Sequence, residues 1–258
     1  MYLSVIIPAY NEEKRIEKML LSVDEYLSRQ SYDYEIIVVN DGSEDRTAEV
    51  VSNLKFKTRA LNKLSARPST NGVSALVKNL KLIGSNVNRG KGWAVRQGML
   101  EAQGDYRLFT DADNSTTIDH LEKFWPNVER GNDVIIASIA VAGAQVAKGE
   151  KFYRRLLGKL GNLWIQFWVL PGIWDSQRGF KLFSARAAKA IFPKLKISRW
   201  GFDVEVLALT RKLGFKIKEV PIRWDNEGES KVKPSAYFQV LLEILKIRWN
   251  LWVNSYKL

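Results

Sequence analysis

Residues 3–13 read LSVIIPAYNEE and residues 34–45 read YEIIVVNDGSED. Each begins as a continuous apolar run and stops at a polar, acid-bearing loop. Leu3–Pro8 and Glu35–Val39 therefore predict buried strands. Helical patterns fill the intervals. Asn11 is placed to cap a helix to about Arg29, with Glu12 and Glu13 in its first turn. Ser43 or Asp45 is placed to cap a second helix to about Leu54. Leu80–Ile83 predicts a third strand, and Gly92–Ala102 a third helix that Gly104 stops. Tyr106–Thr110 and Val134–Ser138 complete the order β-α-β-α-β-α-β-α-β. That order implies an α/β domain with a mainly parallel sheet, helices on both faces, and ligands at the C-terminal ends of the strands.

The loops at those ends hold the residues able to do chemistry. The strand Tyr106–Thr110 runs into Asp111-Ala112-Asp113. Two carboxylates at this spacing can converge on one hard cation, Mg2+ or Mn2+, and leave positions open for phosphate oxygens. Acidic pairs are also common in ordinary loops, so the pair alone decides little. Parallel topology sets Pro8-Ala9-Tyr10-Asn11-Glu12 and Asn40-Asp41-Gly42-Ser43 beside it. Asn88-Arg89-Gly90-Lys91-Gly92 adds cations and flexible backbone. A crevice with an aromatic ring, carboxylates and phosphate-facing cations reads as a nucleoside-diphosphate site. No G-x-G-x-x-G follows a strand and no G-x-x-x-x-G-K-[ST] occurs, which argues against a dinucleotide fold and a P-loop ATPase.

The chain has 258 residues with 46% hydrophobic and 26% charged, the composition of one large globular domain or two small ones. With no cysteine, thiolate metal sites and cysteine nucleophiles are excluded. His120 is the sole histidine, which makes a Ser-His-Asp triad a poor reading and suits a polar helix residue. The net charge of +12 is unevenly spread: residues 1–147 hold 18 Lys+Arg against 19 Asp+Glu, and residues 148–258 hold 22 against 9. The basic half also carries two tryptophan groups, Trp164, Trp168 and Trp174, then Trp249 and Trp252. Cations beside Trp suit an anionic membrane surface. A nucleic-acid-binding module would match the charge but not its placement, since the neutral half holds the crevice. MYLSVIIPAY lacks the basic segment of a signal peptide, and the uncharged run Leu160–Trp174 is too short to span a bilayer. The expectation is an intracellular protein that does not itself cross a membrane.

Seven separated motifs, VIIPAYNEE, VVNDGSEDRT, NRGKGWAVRQGM, FTDADNST, DSQRGFKLF, RWGFDVEVL and EVPIRW, together resemble the inverting family-2 glycosyltransferases of the GT-A fold. The resemblance is greatest to the dolichyl-phosphate glucosyltransferase and dolichyl-phosphate mannose synthase branch. NRGKGWAVRQGM and DSQRGFKLF are similar to the glucosyltransferase subgroup. The resemblance implies transfer of a hexose, glucose before mannose, from a UDP- or GDP-sugar to a polyprenyl phosphate. It implies a nucleotide-sugar site of Pro8, Tyr10, Asn11, Glu12, Asp41, Gly42, Lys91, Asp111, Ala112 and Asp113, with Asp111 and Asp113 holding Mg2+ or Mn2+. Asp111, Asp113, Glu205 and Arg178 are the implied catalytic set, although Glu205 and Asp203 also suit a structural or sugar-binding role. Gln177, Arg178, Ser230 and Lys231 are the implied acceptor-phosphate contacts.

Three positions depart from the pattern. Asn114 stands where the subgroup has Gly, Arg178 where it has Cys, and Ser115-Thr116 where mannose synthases often carry Gln. The implied organisation is a transferase domain over 1–225, with a surface excursion at 55–79 and an amphipathic acceptor-side segment at 148–174. An acceptor loop and C-terminal amphipathic helix follow over 226–258. Helices at Lys151–Val169 and Ala236–Tyr256 would lie in the membrane interface, on the cytoplasmic side. A soluble family-2 transferase with a non-lipid acceptor is the alternative.

Overall fold

The computed structural model describes residues 1–54, 77, 79–146, 152–225 and 234–256. The expected excursion lies outside them except for residues 77 and 79, as do Ser230 and Lys231. Seven strands form the main sheet: β1 (Leu3–Ala9), β2 (Tyr34–Asp41), β3 (Leu80–Ser85), β4 (Tyr106–Thr110), β5 (Val134–Ser138), β7 (Phe180–Ser184) and β8 (Ile217–Pro221). A small parallel pair, β6 (Gln145–Val146) and β9 (Arg223–Trp224), lies apart. The helices are α1 (Ile16–Leu27), α2 (47–54), α3 (Lys91–Glu101), α4 (Trp125–Glu129), α5 (Phe152–Trp168), α6 (Ala185–Ile191), α7 (Phe202–Lys212) and α8 (Pro234–Trp252).

The main sheet runs β3-β2-β1-β4-β7-β5-β8. It is mainly parallel, as expected. The chain order of the first five strands is as expected; in space β7 inserts between β4 and β5, antiparallel to both. The stretch Phe180–Ser184 carries a lysine in mid-strand, which masks its apolar alternation. Lys181 is nonetheless buried, with its ammonium 2.6 Å from Oδ1 of Asp203 on α7.

Alternate strand residues face opposite sides, the period-two geometry of a pleated sheet. Ile6, Ile37, Val39, Phe109 and Ile136 enter one core with α3, α6 and α7, which also takes Ile165 of α5 and Ile244 and Ile247 of α8. Leu3, Val5, Ile7, Val38 and Leu108 enter the other with α1 and the 3-10 turn Ile118–Lys123. Removing each such aliphatic side chain from water contributes about 1.5–3 kcal/mol, which is why both faces of the central strands are covered.

Helix starts needed correction in one place. Asn11 does not cap α1, which begins at Ile16. It takes a left-handed φ of 55°, and its Oδ1 accepts the amide of Glu44 at 2.9 Å. Asp45 does act at the start of α2, accepting Thr47 N at 2.9 Å. Gly104 serves close packing, its amide donating to Ser4 Oγ at 2.8 Å; α3 has already ended at Glu101. Among the described residues, no helix is long and apolar enough to cross a membrane.

Candidate active site

The crevice is assembled from loops that staple one another at the C-terminal edge of β1, β2 and β4. Asn11 N donates to Ser43 Oγ at 3.0 Å and Glu12 N to Thr47 Oγ1 at 2.7 Å, so the first two loops move as one. Pro8, in β1, and Tyr10, half exposed, stand on this joint loop. Glu12 is buried and forms an ion pair with Arg15, whose guanidinium also feels Asp113 and Asp111. Arg15 was not foreseen, although it lies four residues beyond Asn11.

Asp41 is buried and accepts the amides of Arg89 and Gly90, each at 2.8 Å. Burial pushes its carboxyl above the ordinary range, and those two donors oppose the push. Gly42 has φ 70° and presses on Val87–Asn88, where a Cβ would meet Asn88 N at 2.4 Å. Only glycine fits that contact. The β2 loop is thereby bound to the residue 88–90 loop that presents Lys91.

Asp111, Ala112 and Asp113 follow β4. Lys91 Nζ lies 2.7 Å from Asp111 Oδ1. Desolvation in the crevice pushes the Asp111 carboxyl up and Asp113 and Asp203 add to it, while Lys91 opposes them. Burial pulls the Lys91 ammonium down, but Asp111, Asp203 and Asp113 outweigh it and hold it above its ordinary range. The Phe109 and Trp200 ring centroids lie 5.3 and 6.0 Å from that ammonium. Asp113 Oδ1 accepts Ser115 N at 3.0 Å. Asn114 takes a left-handed φ of 56°, a conformation that Asn tolerates better than other non-glycine residues, so its replacement of Gly preserves the turn. Gly179 packs beneath the pair, with its carbonyl accepting Asp111 N at 3.0 Å.

Asp111 and Asp113 are hard oxygen donors on one loop. Among the described residues no cluster of three or more His, Cys, Asp or Glu could enclose a metal. A two-carboxylate half-site fits an Mg2+ or Mn2+ ion that takes its remaining ligands from phosphate and water.

The remaining expected residues divide. Arg178 is not a solvated cation: its Nε lies 3.0 Å from Asp175 Oδ2, and its guanidinium stacks 4.4 Å from the Trp224 ring centroid. Gln177 beside it is exposed. Glu205 is not placed to act as a base. It is fully buried and accepts the amides of Lys196 (3.0 Å) and Ile197 (2.8 Å) and the Tyr256 hydroxyl (2.5 Å). Burial raises its carboxyl and these donors oppose the rise. Two positions earlier on α7, Asp203 turns toward Lys181 instead. His120 is buried, with Nδ1 3.1 Å from the Thr117 carbonyl and Nε2 accepting Arg223 N at 3.0 Å. It clamps β9 and has no part in the crevice.

The loop 198–201 completes the site. Trp93 N donates to Ser198 O at 3.1 Å, and Gly201 N donates to Glu243 Oε2 of α8 at 2.6 Å. Trp200, whose ring lies near the Lys91 ammonium, is thus next in the chain to a residue bonded to α8. On the opposite rim Asp225 N donates to Ser115 O at 3.1 Å, tying the end of the β9 segment to the carboxylate loop.

The family model for glycosyl transferase family 2 matches residues 4–192, and every carboxylate and cation described above at the ends of β1 to β4 falls within that span. The chain belongs to glycosyl transferase family 2. Among its relatives, the dolichyl-phosphate beta-glucosyltransferase of Dictyostelium discoideum is 36% identical, over 100% of this chain and 77% of that protein. The Homo sapiens dolichyl-phosphate beta-glucosyltransferase is 32% identical, over 99% of this chain and 78% of its own. Two solved structures share the GT-A fold. Glucosyl-3-phosphoglycerate synthase from Mycobacterium tuberculosis, in complex with Mn2+, UDP-glucose and phosphoglyceric acid, superposes with a TM-score of 0.64 at 18% identity. That match covers 96% of this chain and 79% of that one. Mannosyl-3-phosphoglycerate synthase from Rubrobacter xylanophilus superposes with a TM-score of 0.68 at 14% identity, covering 100% of this chain and 76% of that one.

Proposed function

We propose that this glycosyltransferase moves glucose, with inversion, from UDP-glucose to dolichyl phosphate or a related polyprenyl phosphate at a membrane surface. The observation that carries the acceptor assignment is the joining of an apolar helix pair to the crevice. α8 is anchored through Glu243 to Gly201, one residue from Trp200 in the site. It also packs beside α5 through a shared core. Both helices leave large apolar side chains in solvent: Leu160, Leu163 and Phe167 on α5, and Leu242, Trp249 and Trp252 on α8. Such faces suit a lipid interface, with the lysines and arginines of the basic half meeting lipid phosphates. Full-length similarity to dolichyl-phosphate beta-glucosyltransferases supports the sugar and the lipid.

Pro8, Tyr10, Asn11, Glu12, Asp41 and Gly42 form the wall against which the nucleoside rests, and Lys91 faces its diphosphate. Asp111 and Asp113 hold Mg2+ or Mn2+, which when bound neutralises the charge growing on the departing UDP. A phosphate oxygen of the acceptor attacks the anomeric carbon as the bond to the UDP oxygen breaks. That oxygen is already anionic, so no base is required, in keeping with a Glu205 whose lone pairs are committed to structure. Arg178, Gln177, Ser230 and Lys231 are the proposed acceptor-phosphate contacts. The hydrogen bond that Asp225 N donates to Ser115 O, at the carboxylate loop, supports this, since Asp225 precedes Ser230 and Lys231 in the chain by only a few residues.

A donor panel of UDP- and GDP-sugars with short polyprenyl phosphate and Mg2+, read as lipid-linked product, tests the proposal. Transfer from UDP-glucose is expected, with loss on Asp113→Ala. Product on water-soluble acceptors alone would overturn the lipid assignment.

A further inference from the structure

We propose that Lys91 keeps the carboxylate pair closed to divalent cations until a nucleoside diphosphate arrives. The proposal rests on the reading of Asp111 and Asp113 as the metal-holding pair and adds an order of binding to it. One oxygen of each carboxylate already has a polar partner. Oδ1 of Asp111 meets Lys91 Nζ at 2.7 Å, and on the side of Oδ2 the carboxylate has room only because residue 179 is glycine, where a Cβ would lie 1.9 Å away. Oδ1 of Asp113 accepts Ser115 N.

The surrounding charges are already matched. Asp203 is taken by Lys181 at 2.6 Å, and Glu12 by Arg15. Asp111 is thus the carboxylate whose counter-ion decides whether a cation can enter. Mn2+ arriving alone must displace an ammonium from its own ligand and then leave that ammonium unpaired beside a second cation. A nucleoside diphosphate removes this obstacle, because its phosphate oxygens receive the Lys91 ammonium while the metal takes Asp111. Lys91 can make the exchange: it opens α3 next to Gly90, whose φ is 106°, and its side chain is still 21% exposed. Metal and nucleotide would then each raise the other's affinity by one common factor.

Mn2+ binding to the full chain, followed by the paramagnetic resonance signal of the free ion, tests this without any turnover. Lys91→Met should bind Mn2+ about tenfold or more tightly than wild type when no nucleotide is present, and UDP should then improve Mn2+ affinity far less than in wild type. Lys91→Arg, which keeps the charge, should remain weak without UDP. Adding Asp111→Asn to Lys91→Met should abolish the gain. Lys91→Gln gives the same reading should the methionine variant fold poorly. If UDP recruits Mn2+ to wild type but neither neutral variant gains nucleotide-free affinity, the gate is refuted and the metal site stands. If Mn2+ binds neither protein even with UDP, the metal reading falls and the gate with it.

Discussion

A Cβ built on Gly179 lies 1.9 Å from Oδ2 of Asp111, a separation at which one of the two must move. The peptide is held by the bond from Asp111 N to the Gly179 carbonyl, so the carboxylate would be displaced. Gly179→Ala should therefore lower turnover about a hundredfold while the protein still unfolds cooperatively, because small misplacements of a reacting group have effects of that size. Steady-state transfer beside a thermal melt checks it, and unchanged turnover would show that Asp111 has another resting place. His120 gives a prediction of the opposite kind, on stability alone. Burial pushes its imidazole below the ordinary histidine range, and Nε2 must stay unprotonated to accept Arg223 N. The folded pKa is depressed, so the contribution is fully present above the unfolded value and is lost as pH falls from there through the folded one. Between about pH 7.5 and about pH 5.5 wild type should lose more unfolding free energy than His120→Gln, as urea melts can measure. The aspartate pair was legible in the sequence because hard-cation chemistry demands carboxylates at a strand end. Gly179 and Arg15 were not, since each depends on which chain lies opposite.

α5 and α8 show why an element can be foreseen while its partner cannot. Amphipathic helices were expected at Lys151–Val169 and Ala236–Tyr256; α5 runs Phe152–Trp168, and α8 runs Pro234–Trp252, ending four residues short of Tyr256. The faces then divide. Ile165, Ile244 and Ile247 turn into the core, whereas Phe167, Trp249 and Trp252 are 79%, 59% and 71% exposed. Trp164 and Trp168 pack partly against the core, so the two tryptophan groups of the sequence do not share one fate. Trp249→Ser combined with Trp252→Ser should abolish co-sedimentation with anionic vesicles and change unfolding free energy by only about 0.5 kcal/mol, as is usual at exposed sites. Retained vesicle binding would remove α8 from the membrane-facing surface. The strand β7 is the counter-example. No strand was expected there, and only Asp203 on a later helix lets the Lys181 ammonium be buried.

For the whole molecule, the crevice and the helix pair are linked at loop 198–201, through Glu243 to Gly201 and the Trp200 ring to Lys91, while β7 and β8 of the basic half pair with β4 and β5 of the neutral half. The surplus of cations belongs to residues 148–258, which supply both helices of the pair and the central strand β7. The sequence by itself determined the α/β order, the carboxylate pair and the cation-rich second half, because strand periodicity, metal chemistry and composition are local properties. Tertiary structure alone decided that β7 enters the sheet antiparallel, that Glu205 anchors Lys196, Ile197 and Tyr256, and that Lys91 rests on Asp111. In each case the outcome depends on a charge or a backbone donor far away in sequence, and burial makes that partner obligatory: an isolated carboxylate or ammonium cannot leave water unless the fold supplies one.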